Sequence, residues 1–135
     1  MTDKRIQITR PKKVKNSFEF FKEWLKIIKS FSKLGDAELD FLAAILSKRH
    51  ELSKVILDET ILTQVLFNKE SKDEIIEKLN LKDIQTFENK ASQLRKKGII
   101  LEGNKIDPRY IPQVNKDLKM FRIMFTIVTE EDAEG

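Results

Sequence analysis

Residues 71–112, SKDEIIEKLNLKDIQTFENKASQLRKKGIILEGNKIDPRYIP, constrain the fold more tightly than any other part of the chain. Ile75, Ile76 and Leu79 recur at helical spacing, and so do Ile84, Phe87, Ala91 and Leu94. Two amphipathic helices are therefore expected, with Leu81 packed beneath the turn between them. Ser71 followed by Glu74 has the spacing of a capping box, and Asp83 is placed to cap the second helix. Arg95, Lys96 and Lys97 complement the negative end of that helix, and Gly98 stops it. Ile99, Ile100 and Leu101 then read as a strand, residues 102–105 as a hairpin tip and Ile106 as the return, with Pro108 ending the pairing.

Upstream, residues 16–34 form a predicted helix. Asn16 and Glu19 have capping-box spacing, and Phe20, Phe21, Trp24, Leu25, Ile27, Ile28 and Phe31 make one broad apolar stripe. Gly35 stops this helix and Asp36 is expected to cap the next, which runs to about Leu52. Residues 56–67, apolar with few charges, read as a helix inside the core. The ends differ from this body. Residues 1–15 are an extended basic arm in which Ile6 and Ile8 alternate with polar neighbours before Pro11. In residues 119–128, Phe121, Ile123, Phe125 and Ile127 alternate with Arg122, Met124, Thr126 and Val128, the period of a strand. Residues 129–135 are an acidic tail. At 135 residues, this organisation is one domain, 16–128, between an arm and a tail.

Helix, turn, helix and two-stranded hairpin is the order of a winged helix-turn-helix: helix-turn-helix over 71–98, wing over 99–112. The expected fold class is therefore mainly α with a small β component, carrying an N-terminal helix and a C-terminal strand. The LRKKGII ending, NKIDPRYIP after the tip and the late FRIMFTIV segment resemble small proteins of Bacteroides-infecting tailed phages, the crAss-like group included. That resemblance implies a non-enzymatic virion component, a ring or connector in the head–tail region, with the fold used as an assembly module. Its partners would be further copies of itself and other portal, ring or tail proteins. Unpaired strand edges invite pairing with a neighbouring chain. Assembly contacts are accordingly expected from Arg5, Ile6, Ile8 and Arg10 of the arm, Trp24 of the first helix, and Phe121, Ile123 and Phe125.

The alternative is a DNA-binding transcriptional regulator or replication accessory protein, cytoplasmic in a bacterial host. In it, Gln85, Asn89 and Lys90 would read bases, with Thr86 exposed on the same helix, while Lys82, Lys105 and Arg109 would hold phosphates. Charge does not decide between the two readings. Residues 1–34 hold ten Lys/Arg against three Asp/Glu, so the arm and first helix could meet nucleic acid or an acidic protein surface. Residues 71–110 hold nine basic and seven acidic side chains, and Asp83 and Glu88 on or near the reading face would repel phosphate. A generic adaptor is a third possibility.

Chemistry-bearing patterns are scarce. The chain has no cysteine, which excludes disulfides, thiolate metal sites and cysteine nucleophiles. His50 is the single histidine, near a helix end where a surface or dipole role is expected. No glycine-rich phosphate loop occurs, and the carboxylates of 130–134 cluster only in the tail. No enzyme activity, cofactor, metal, small-molecule ligand or membrane association is expected.

Overall fold

A computed structural model describes residues 14–112. Five α-helices make up the described body: α1 (Ser17–Lys29), α2 (Asp36–Ser53), α3 (Glu59–Leu66), α4 (Lys69–Leu79) and α5 (Ile84–Lys96). Two short 3-10 turns, Glu102–Asn104 and Pro108–Tyr110, follow.

The expected winged helix-turn-helix is not what forms. Among the described residues there is no strand. The segments expected to pair as a wing meet only at one antiparallel bridge, Ile100 to Ile106. The reason lies in the tip. Residues 102–104 coil into a 3-10 turn with Gly103 at φ 76° and Asn104 at φ 62°, and residues 108–110 coil into another. Two such turns leave too few extended residues between them for a ladder. The fold is helical. The C-terminal strand expected over 119–128 lies outside the described residues, as do nearly all of the arm and the tail.

α2 is the spine. Residues 41–47 are buried without interruption, and they occupy every side of the helix. α1, α3, α4 and α5 all pack against it. Ala43 and Ala44 lack long side chains, so neighbouring backbones can approach. Phe41 meets Phe87 of α5 edge to face, with ring centroids 5.0 Å apart.

α1 starts where the sequence indicates. The Asn16 side chain accepts a hydrogen bond from the Glu19 backbone N–H at 2.9 Å. Phe21 and Leu25 are buried, and Ser17 Oγ and Ser47 Oγ lie 2.5 Å apart across α1 and α2. The helix ends at Lys29, earlier than expected. The Ser32 hydroxyl takes the Leu34 N–H, a local bond that competes with helix, and Phe31 is left 73% exposed.

Four further expectations need correction. Gly35, not Asp36, is the N-cap of α2, and the Glu38 carboxylate accepts its N–H at 2.8 Å. Asn68, not Ser71, caps α4. Ser71 is buried instead, with its hydroxyl donating to the Val65 carbonyl at 2.7 Å. The core helix expected over 56–67 begins only at Glu59, because Asp58 caps it and accepts from the Ile61 N–H. Val55 and Leu57, 79% and 84% exposed, stand outside the core. His50 is buried rather than superficial, its ring centroid 5.9 Å from that of Phe21.

Candidate nucleic-acid interface

The turn between α4 and α5 is set by Asn80 in the left-handed region at φ 54°. Asparagine tolerates that conformation better than most residues. It lets the Leu81 N–H reach back to the Ile76 carbonyl at 2.9 Å, closing α4 and drawing Leu81 into the core edge. Lys82 stays exposed on the turn. Asp83 then caps α5, accepting from both the backbone N–H and the hydroxyl of Thr86 at 2.9 Å.

Phe87, Ala91 and Leu94 anchor α5 against the body. At about 100° per residue, the opposite face carries Gln85, Asn89, Gln93 and Lys96, and all four are exposed. The Gln85 amino group donates to the Asn89 carbonyl oxygen at 2.9 Å, which fixes two amides side by side. No acidic residue lies on this stripe.

The acids expected to repel phosphate are otherwise engaged. Glu88 lies towards α4, and Lys72 Nζ sits 2.8 Å from its carboxylate. The same ammonium lies 5.8 Å from the Phe87 ring centroid. Asp83 is spent on the cap. Asp107 is buried and bound by Arg109, whose Nε and Nη2 donate to one carboxylate oxygen at 3.0 and 2.6 Å while its backbone N–H donates to the other. These bonds, the side-chain ones first, hold the Asp107 carboxyl below the usual carboxylate range. The partnership raises Arg109 in turn. Glu102 remains exposed at the tip.

The residues expected to contact DNA therefore divide. Lys82, Gln85 and Asn89 are exposed, and Gln85 and Asn89 are bonded to each other on the outer face of α5. Thr86 serves the cap and Lys90 is half-buried on a flank. Lys105 is exposed beyond the end of α5, and Arg109 is committed to Asp107. Gln93 and Lys96 were missed, although continuing the four-residue step from Gln85 and Asn89 would have reached Gln93. The role of Lys72 had no signal in sequence, because it depends on how α4 crosses α5.

Two basic residues fix the far end of α5. Arg95 donates to Asn104 Oδ1 at 2.9 Å, and Lys97 reaches the Glu38 carboxylate at 2.5 Å and the Lys33 carbonyl at 3.0 Å.

Of the expected assembly contacts, only Trp24 falls in the described body. It packs half-buried against the core, and its indole N–H donates to the Tyr110 carbonyl at 2.9 Å. Arg5, Ile6, Ile8, Arg10, Phe121, Ile123 and Phe125 lie outside the described residues. Among the described residues no group of three or more His, Cys, Asp or Glu side chains could hold a metal ion. No helix among them is long and apolar enough to cross a membrane. No protein-family model matches the chain, and neither curated proteins nor solved structures gave a match.

Proposed function

We propose that this chain is a non-enzymatic DNA-binding protein, a regulator or replication accessory, that meets the duplex with the outer face of α5. The observation behind this reading is the acid-free stripe Gln85, Asn89, Gln93 and Lys96, with Glu88 drawn aside and neutralised by Lys72. An α-helix fits the major groove, where glutamine and asparagine amides pair with adenine edges. Lys82, on the turn before α5, and Lys96, its last residue, would meet the phosphate chains that border the groove. The excess of basic residues in 1–34 adds attraction that is independent of sequence.

The test is salt-titrated binding of the full chain to duplex DNA. Replacing Lys82 and Lys96 together with Ala should lower the salt slope by about 2, since each lost phosphate contact contributes about 0.9. Gln85→Ala with Asn89→Ala should flatten discrimination among duplexes. Unchanged affinity, slope and preference in both variants would overturn the reading.

The second reading, a ring or connector component of a phage head–tail region, draws on the resemblance to phage proteins and on exposed apolar side chains such as Phe31. Its test is incorporation into particles of a chain lacking residues 1–15. Normal assembly without the arm would count against it.

A further inference from the structure

α5 ends in three consecutive basic residues, Arg95, Lys96 and Lys97, and each is used differently. Successive residues of an α-helix are set about 100° apart, and Lys97, the C-cap, keeps right-handed helical angles. Lys96 lies on the outer face, so Arg95 and Lys97 fall on its two sides. Each of those two reaches a different piece of the chain. On one side the Arg95 guanidinium donates to Asn104 Oδ1 at 2.9 Å and holds the 102–104 turn against the helix end. On the other side Lys97 Nζ donates to the Lys33 carbonyl at 3.0 Å and holds the loop between α1 and α2.

Both links bring a further lysine to the end of α5. Lys105 follows Asn104 directly, and Lys33 carries the carbonyl that Lys97 holds. Lys33, Lys96 and Lys105 are all exposed, and no ion pair among the described residues involves any of them. By contrast Lys22, Lys26, Lys29, Lys48, Lys69 and Lys72, on α1, α2 and α4, are each paired with a carboxylate. Of the acids near the end of α5, Glu38 is taken by Lys97, while Glu102 stays exposed on the tip.

We infer that Lys33 and Lys105 hold two separate phosphates of duplex DNA, one on each side of the C-terminal end of α5. The inference rests on the proposed reading of α5 as a groove-binding helix, and it adds where the phosphate chains pass. A helix with its side chains is about 10–12 Å across and the major groove is about 12 Å wide. Residues on the two flanks of a helix lying in the groove therefore stand at its two walls. Lys33 had no signal in sequence, because only the Lys97 link carries it to α5.

The experiment is salt-titrated binding of the full chain to a short DNA duplex, with Lys33→Ala and Lys105→Ala made singly and together. Both residues are seated through their backbones: the Lys33 carbonyl accepts from Lys97, and the Lys105 carbonyl accepts the Leu101 N–H at 2.6 Å. Alanine keeps those bonds, and urea unfolding checks that the fold is retained. Each single variant should lower the salt slope by about 0.9 and the double variant by about 1.8. Preference among duplexes should not change, since phosphate contacts carry no sequence information. A control, Lys54→Ala with Lys69→Ala, removes two lysine charges next to the end of α2 and at the start of α4 and should leave the slope in place. An equal drop in the control would reduce the effect to general attraction and overturn the inference. A double variant no lower than either single would overturn the two-sided grip. A chain whose slope responds to loss of Lys82 and Lys96 but not of Lys33 and Lys105 would overturn this inference alone. A full chain that does not bind duplex DNA would overturn the reading of α5 with it.

Discussion

α2 and α5 are neighbouring helices, yet they are buried in opposite ways. α2 is buried on all sides through its middle, from Phe41 to Ser47. α5 buries three side chains, Phe87, Ala91 and Leu94, with half-buried residues such as Glu88 and Lys90 on its flanks and an exposed outer face. A helix buried all round has its sequence dictated by packing, and almost any change there is felt as lost stability. A helix buried on one side keeps a face that packing does not specify. On α5 that face carries three amides and one lysine; of the two acids near it, Glu88 is paired with Lys72 and Asp83 caps the helix.

The sharpest way to break this contrast is to attack the seam. Phe87→Ala removes a fully buried ring and its edge-to-face partner on Phe41, and should cost about 3–5 kcal/mol in urea unfolding. A much smaller loss would mean that α5 is not seated on α2 as described.

The cap comes next. Asp83→Ala removes the acceptor for two Thr86 donors at the start of α5 and should cost about 1 kcal/mol. If the outer face of α5 meets DNA as proposed, binding should weaken along with stability.

Acid acts on a different part of the molecule. The Asp107 carboxyl is lowered in the folded state, so its contribution is fully present above the unfolded value of about 3.9 and fades as pH falls through that value to the folded one. Asp107→Asn should cost at most about 1 kcal/mol at pH 7, since Arg109 is largely exposed to screening solvent. The gap between variant and parent should narrow below about pH 4. A gap that holds constant down to pH 2 would show that the charge of Asp107 is not what stabilises the turn.

The smallest effect on stability is expected where the largest effect on function is proposed. Gln85→Ala with Asn89→Ala should shift unfolding by no more than about 0.5 kcal/mol, as exposed polar positions usually do. A loss of several kcal/mol would show that the outer face of α5 is structural after all.

The same contrast explains what could be read in the sequence. The inward residues of α4 and α5 were legible from spacing, because burial imposes a 3.6-residue period that survives any detail of tertiary packing. The Asn16 and Asp83 caps were legible because they act over three residues. The start of α3 was not. The apolar run over 56–67 has the composition of a core helix, and Asp58 delays its start to Glu59 by accepting the Ile61 N–H as the cap. The wing failed for a related reason: the apolar run Ile99, Ile100 and Leu101 with Ile106 after the tip suggested a hairpin, while positive φ at Gly103 and Asn104 curls the tip into a turn. Glu88 was misjudged because its partner Lys72 is sixteen positions away and on another helix. Of the seven residues expected at DNA, Lys82, Gln85 and Asn89 are exposed on or beside α5, while Arg109 is engaged by a partner only two residues away.

Trp24 is the only tryptophan in the chain, and its indole N–H is bonded to the carbonyl of Tyr110. The first helix and the last turn of the described body are thereby joined by the one strongly fluorescent group the protein has. Lifting residues 108–112 from α1 would break that bond and wet the indole, shifting its emission to longer wavelength. The molecule carries a built-in optical gauge of whether its carboxy-terminal end is seated, readable in the unlabelled protein.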